Sequence, residues 1–299
     1  MERTYINEAQ KAIGGTVKVQ GFIENLRNSK YMAFIVLKDI TGKLQITVEK
    51  EDHPDLVGTI DQLTPDSVIT VTGKVVENDY VKMGGIEMIP EAIEVESIAD
   101  ALPIVRKEIA ATKKKKAVER SSIDQRIDYR WIDLRTDENQ LMFKAQSCFV
   151  NAMRKFLLDR NFIEIHTPKL IAAASESGSE VFKVDYFDRN AYLAQSPQFY
   201  KQMAMAAGFE RIFETGPVFR AEKSYTNKHS TEFSGFDLEF SYITSYKDVM
   251  AMEEQLLKAG LQAVKDAYGD QIQELFGKEV IVPETPFPVV KLADLYKGL

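Results

Sequence analysis

One cysteine, Cys148, is all that 299 residues contain, which excludes an internal disulfide framework and any metal site built mainly from thiolates. A reducing cytoplasm suits such a chain. Nor is there an excess of positive charge: 38 lysines and arginines stand against 45 acids, a net charge of −7. Attraction to a polyanion therefore cannot come from overall charge and has to use local patches. No uninterrupted apolar run reaches membrane-spanning length, and the opening MERTYINEAQ lacks the apolar stretch of a signal peptide, so neither export nor a membrane is expected. Also missing are a G-x-G-x-x-G turn after a strand and a G-x-x-x-x-G-K-[ST] loop. Their absence disfavours a parallel Rossmann sheet and requires another device for any nucleotide. What is there, 44% apolar and 28% charged residues, is the composition of a globular protein long enough for two packed domains.

From Thr16 to Val95 short alternating or β-branched runs dominate: TVKVQGFIE, MAFIVLKD, LQITVE, SVITVTGKVVE and GIEMIPEAIEV, separated by turn signals such as Thr41-Gly42. With a helix or loop around Pro54 to Leu63, the order is three strands, a break, then two strands. That is the order of an OB barrel, a small closed sheet often used to hold single-stranded nucleic acid. Residues 101–135 are rich in charge and poor in strand pattern, with a lysine run from Lys113 to Lys116, and read as a hinge. That run suits a solvated helix face or linker as well as contact with nucleic-acid phosphates. Beyond it, Phe143, Phe149, Val150, Met153, Phe156 and Leu157 recur at helical spacing, and FIEIHTPKL reads as a strand closed by Pro168. AYLAQSPQFYKQMAMAAGF reads as strand, turn and helix, RIFETGPVFRAE and FDLEFSYI as two strands around a polar loop, and Lys247 to Tyr268 as a second long helix. The expected architecture is α+β: a five-stranded barrel over 1–100, the hinge over 101–135, and over 136–299 a domain with a largely antiparallel sheet.

The hairpin GPVFRAEKSYTNKHSTEFSGFDLEFS, from Gly216 to Ser241, concentrates chemistry. Arg220 and Glu222 lie two apart, so on a strand they share a face. An arginine there can grip a phosphate with its fork while the carboxylate accepts from an amine. Alone, the two also suit a surface ion pair. His229 sits in the loop, Phe233 opens the return strand, and Asp237 follows four residues later on the same face. A cation, an acceptor, a loop donor and an aromatic platform are what a bound nucleotide requires.

F-R-x-E, a loop and H-x-x-x-F resemble motif 2 of the class II aminoacyl-tRNA synthetases, and FIEIHTPKL resembles their motif 1. QSPQFYKQ, Gln195 to Gln202, is similar to the signature of the aspartyl branch, archaeal or eukaryotic type. The resemblance implies an OB-fold anticodon-binding domain joined to a class II catalytic domain. It implies that Arg220 grips the α-phosphate of ATP and the amino-acid carboxylate, that Glu222 binds the adenine amino group, that His229 lies near the terminal phosphates and that adenine stacks on Phe233. The aspartate pocket would be formed by Glu176 from a mobile loop, Ser196, Gln198, Lys201, Arg220 and Asp237. Lys201 favours a carboxylate over the neutral amide of asparagine. In the barrel, Arg27, Phe34 and Gln45 resemble the set that holds the central anticodon base, although an aromatic within AFIVL also suits a core.

Further implications are ATP as substrate, Mg2+ in the complete enzyme, tRNA(Asp) and also tRNA(Asn) as candidate partners, a homodimer, and a cytoplasmic location. Motif 3, which in the family carries a second ATP-binding arginine, the acidic magnesium ligands and another arginine for aspartate, is not found before Leu299. An expressed fragment, a truncated gene product and a paralogue that has lost catalysis all stay open, and the chain alone is expected to activate aspartate poorly or not at all. Competing readings are a non-catalytic tRNA-binding and dimerising module, and an asparaginyl-tRNA synthetase.

Overall fold

The computed structural model describes residues 1–108, 117–175, 180–223, 226 and 229–297, so Lys113 to Lys116 and Glu176 lie outside the described residues. Two compact units share the chain, Met1–Tyr129 and Arg130–Leu299.

In the first unit, β1 (Thr16–Asn28), β2 (Met32–Lys38) and β3 (Lys43–Glu49) are followed by the short helix α1 (Val57–Asp61), then β4 (Val68–Glu77) and β5 (Ile86–Ser97). They close into a barrel in the order β1-β2-β3-β5-β4, which leaves no strand edge open. Alternation dictates the closure. Val17 and Val19, Ala33, Ile35 and Leu37, and Leu44, Ile46 and Val48 all point inward and are buried, as a side-chain period of two requires. A 3-10 helix, Ile6–Ala12, buries Ile6 and Ala9 in the same core. Glycine is needed where the barrel bends: a Cβ on Gly21 would stand 2.3 Å from the Lys38 carbonyl oxygen.

The segment read as a hinge carries more order than its composition suggests. Arg106 makes a forked ion pair with the buried Asp66 at 2.9 and 2.7 Å. Helix α2 (Ile123–Asp128) starts with a reciprocal Ser122–Gln125 capping box, and α3 (Arg130–Asp133) follows at once. The S-x-x-Q spacing was the signal for that helix start.

The second unit runs α4 (Asp137–Leu158), β6 (Ile163–Glu164), β7 (Leu170–Ile171), β8 (Lys183–Tyr186), β9 (Arg189–Leu193), α5 (Gln198–Ala206), β10 (Arg211–Phe219), β11 (Glu232–Phe240), α6 (Tyr246–Phe276) and α7 (Leu292–Lys297). FIEIHTPKL is not one strand. Its first part, β6, pairs in parallel with β10, and its last part enters β7, which pairs antiparallel with β9 in a second sheet. The switch falls at Thr167 and Pro168, where proline offers no N–H to a ladder. Among the described residues, the pairings in this unit other than β6–β10 are antiparallel.

Helices α4 and α6 pack together over the β10–β11 hairpin. Met153, Leu157, Phe162, Phe213 and Leu256 form the buried centre, with Phe149, Phe236, Leu238 and Phe240 against it. Close approach of the two helices depends on Gly260, where an added Cβ would stand 2.6 Å from the Phe149 ring. Gly260→Ala is therefore expected to destabilise this unit by about 1–3 kcal/mol through overpacking. A thermal midpoint equal to wild type would contradict that packing. Among the described residues no helix is long and apolar enough to cross a membrane.

Candidate functional site

The β10–β11 register pairs Glu214 with Asp237, Gly216 with Gly235 and Val218 with Phe233. Because alternate residues face opposite sides, Phe213, Phe236, Leu238 and Phe240 pack toward the helices. The other face presents Glu214, Gly216, Val218, Phe233, Gly235 and Asp237. It floors a cleft of about 390 Å³, part of it open solvent, whose walls include Lys169, Gln195, Ser196 and Arg220.

Lys201, on α5, is only 6% exposed, unusual for lysine unless it is paired. Its Nζ lies 2.5 Å from Asp237 Oδ1 and 3.1 Å from Glu239 Oε2. Burial pushes the ammonium's pKa down, but hydrogen bonds and charge from Asp237 and then Glu239 outweigh it, and the value ends above the ordinary 10.5. Lys201 thus stays charged across neutral pH.

Beside it, Glu214 is 4% exposed. It accepts from the Thr167 N–H at 2.8 Å, the Thr167 hydroxyl at 2.7 Å and Lys169 Nζ at 2.9 Å. Burial alone would raise its pKa; the Thr167 amide, the Lys169 ammonium and the Thr167 hydroxyl together hold it below the usual 4.5. A depressed carboxylate contributes stability above its unfolded pKa and loses it as pH falls through the folded one. The urea stability gap between wild type and Glu214→Gln is therefore expected to stay flat through neutral pH and to shrink below pH 4.5. A gap that widens on acidification would refute this.

Arg220 lies just past the end of β10, its backbone N–H bonded to the Thr231 carbonyl at 2.9 Å. Its guanidinium sits over the Phe233 ring, 5.7 Å from the centroid. The Nε is buried with no hydrogen-bond partner among the described residues. A buried guanidinium N–H without an acceptor is costly and suits a site that an anion completes.

Ser196, Arg220, Phe233 and Asp237 come together at this cleft, and Lys201 reaches it through Asp237. Gln198 opens α5, its N–H bonded to Ser196 Oγ at 3.3 Å. Glu222 departs from expectation: β10 ends at Phe219, the Ala221 N–H turns to the Glu180 carbonyl at 3.0 Å, and Glu222 is exposed. It does not share a strand face with Arg220, because the ladder has already stopped. His229 is exposed, with Nδ1 2.6 Å from the Thr226 hydroxyl, and is not among the residues lining the cleft. Sequence reasoning missed Lys169, Gln195, Glu214 and Glu239. Counting back by twos from Arg220 through Val218 and Gly216 reaches Glu214, and counting on by two from Asp237 reaches Glu239.

On the barrel, Arg27 pairs with Phe34 and Phe34 with Thr47 across β1, β2 and β3, so all three lie on one outer face. Arg27 stands over the Phe34 ring at 6.0 Å. Gln45, two residues from Thr47 on that face, bonds Thr47 Oγ1 at 3.1 Å and the buried Glu87 at 3.2 Å. Thr47 and Glu87 belong to this surface and were not foreseen.

Residues 122–298 match the family model described as tRNA synthetases class II (D, K and N), and residues 17–96 match that of the OB-fold nucleic acid binding domain. An aspartate–tRNA(Asp/Asn) ligase of Methanopyrus kandleri is 43% identical over 276 residues, covering 92% of this chain and 62% of that protein. An aspartate–tRNA(Asp) ligase of Picrophilus torridus is 40% identical over 273 residues, covering 91% and 61%. The chain thus spans about three fifths of these relatives' length. Asparaginyl-tRNA synthetase from Pyrococcus horikoshii complexed with asparaginyl-adenylate superposes with a TM-score of 0.88 at 28% identity, over 99% of this chain and 66% of that one. Aspartyl tRNA synthetase from Entamoeba histolytica superposes at 0.80 and 27% identity, over 100% and 62%. A barrel and an amphoteric cleft, each matched over its own stretch of sequence, leave one assignment: the chain belongs to the class II tRNA synthetases (D, K and N), among which archaeal aspartate–tRNA ligases are its relatives.

Proposed function

We propose that this chain carries the aspartate- and ATP-binding half of an aspartate–tRNA ligase, with the barrel as its anticodon-binding part. What supports this above all is the charge arrangement around one cleft: a guanidinium at Arg220 whose buried Nε has no partner among the described residues and, ion-paired to Asp237 of the floor, a buried ammonium at Lys201. Aspartate brings two carboxylates and an ammonium. Its side-chain carboxylate would take Lys201, its ammonium Asp237, and its α-carboxylate would lie with the α-phosphate of ATP against Arg220. The α-carboxylate oxygen then attacks the α-phosphorus and pyrophosphate leaves. Transfer follows when a terminal ribose hydroxyl of tRNA attacks the aspartyl carbonyl and AMP departs.

No protein nucleophile is needed; positioning and charge neutralisation do the work. Ser196, Gln198 and Glu176 complete the aspartate pocket in this reading. Phe233 supplies the adenine platform, with Glu222 and His229 reaching the nucleotide from the loop side. Arg27, Phe34 and Gln45 would hold an anticodon base of tRNA(Asp), or of tRNA(Asn), by stacking and edge contacts. Among the described residues no group of three or more His, Cys, Asp or Glu side chains could hold a metal ion, so no step here runs through magnesium. A homodimer and a cytoplasmic location belong to the same proposal and rest on the resemblance.

The likeness to asparaginyl-tRNA synthetase structures supports a second reading, asparagine activation; the Lys201 ammonium speaks against it. Calorimetry with the non-hydrolysable sulfamoyl analogues of aspartyl- and asparaginyl-adenylate separates the two. The aspartyl analogue is expected to bind at least about tenfold more tightly, a difference of about 1.4 kcal/mol. Equal affinities, the reverse order, or no binding of either would defeat the proposal, the last of these favouring a non-catalytic tRNA-binding module.

A further inference from the structure

We propose that Gln195 is a positioning residue that fixes Arg220 at the head of the cleft. The inference rests on the reading above, in that Arg220 is taken to meet the ligand's anionic groups. Gln195 is fully buried, at 0% exposure, and a buried amide is tolerated only where its polar atoms are bonded. Its Oε1 accepts from the Ser175 N–H at 3.1 Å, and its Nε2 reaches the Glu180 carbonyl in a long bond of 3.5 Å.

Those partners matter because of what else they hold. The Glu180 carbonyl also accepts the Ala221 N–H at 3.0 Å, and the carbonyl of Ala194, next to Gln195, accepts the Phe219 N–H at 2.9 Å. Arg220 therefore sits between two backbone anchors, one on the residue before Gln195 and one on the carbonyl that its side chain reaches. The β10 ladder stops at Phe219, so the sheet does not extend to Arg220, and these bonds with the Thr231 contact are what place it. Ala194 is itself bonded to the Lys169 carbonyl at 2.9 Å, which continues the β7–β9 pairing and ties the same junction to Lys169, another residue lining the cleft. Methionine would fill the volume equally well; an amide is useful here for its bonds.

The test is a double-mutant cycle on the full chain, with aspartyl sulfamoyl-adenylate as probe and calorimetry as readout, alongside hydrogen exchange at the Ser175 and Ala221 amides. Gln195→Met is expected to weaken binding between about tenfold and about a hundredfold, as small misplacements of a positioning group do. Added to Arg220→Ala it is expected to weaken binding by no more than about a further twofold, because its effect passes through that arginine. The Ala221 amide should exchange faster in Gln195→Met. Full additivity with Arg220→Ala, or unchanged affinity in the single variant, overturns the proposal, since a merely structural loss would not vanish when Arg220 is gone. Should wild type itself fail to bind the probe, the functional reading falls; the exchange data still judge Gln195, because an unchanged Ala221 amide overturns the positioning role by itself. If Gln195→Met does not fold, Gln195→Glu serves instead: it keeps an acceptor facing the Ser175 N–H and loses the donor facing Glu180, so the Ala221 amide should still exchange faster.

Discussion

Arg220→Ala is expected to lower the affinity for aspartyl sulfamoyl-adenylate by about a hundredfold or more while leaving the thermal midpoint almost unmoved. The separation follows from the state of the side chain. A hydrogen bond to a charged group contributes about 1.5–3 kcal/mol, and a guanidinium fork on an anion makes two, so about 3 kcal/mol is a modest expectation for binding. In the unliganded protein the same group gives back little. Its Nε is buried without an acceptor among the described residues, which penalises the fold, and its stacking on Phe233 at 5.7 Å returns only about 0.5–1 kcal/mol. Deletion removes a penalty and a gain of similar size. Arg220→Lys keeps the charge and loses the fork, so it should recover a minor part of the affinity. Calorimetry and a melting curve on the same preparations decide the matter: affinity within threefold of wild type, or a large fall in the midpoint with no loss of affinity, would show Arg220 to be a structural residue.

How much of this was legible beforehand depended on the range of the interaction. The barrel was, because each strand carries its inward row in a local alternation such as Ala33, Ile35 and Leu37, and closure needs nothing beyond five such rows. The cleft floor was legible in part: Phe233 and Asp237 were placed on one face by counting, and β11 keeps them there. FIEIHTPKL was misread as continuous because local pattern does not say which partner a strand takes, and its two ends belong to different sheets. Glu214 escaped notice for the same reason. Its partners Thr167 and Lys169 are 47 and 45 residues away in sequence, and a lone carboxylate in ETGPVF reads as solvent-facing until that pairing is known. Gln195 lay inside a motif whose resemblance drew attention to Ser196, Gln198 and Lys201; nothing local marks its amide as buried.

Lys201→Met carries the second large effect, and it acts on specificity and stability together. In the protein as it stands, one ammonium is shared by two carboxylates, Asp237 and Glu239, whose side chains are 32% and 31% exposed. Methionine fills the space but leaves two like charges side by side on β11. Breaking a fully buried pair costs about 3–5 kcal/mol; with both carboxylates a third exposed, solvent screening reduces this to about 1–2 kcal/mol. The pH signature is opposite to that of Glu214→Gln: burial lowers the Lys201 pKa but Asp237 and Glu239 raise it above 10.5, so the stability gap between wild type and Lys201→Met is expected to stay flat through neutral pH and to shrink as pH rises through that raised value. For binding, the aspartyl analogue should lose about a hundredfold in affinity or more, since its side-chain carboxylate would face two carboxylates with the intervening ammonium gone. The asparaginyl analogue, neutral at that end, should lose far less, so discrimination disappears or inverts. Equal losses for the two analogues would mean that Lys201 only shapes the pocket, and the assignment of aspartate as substrate would then have no support in this cleft.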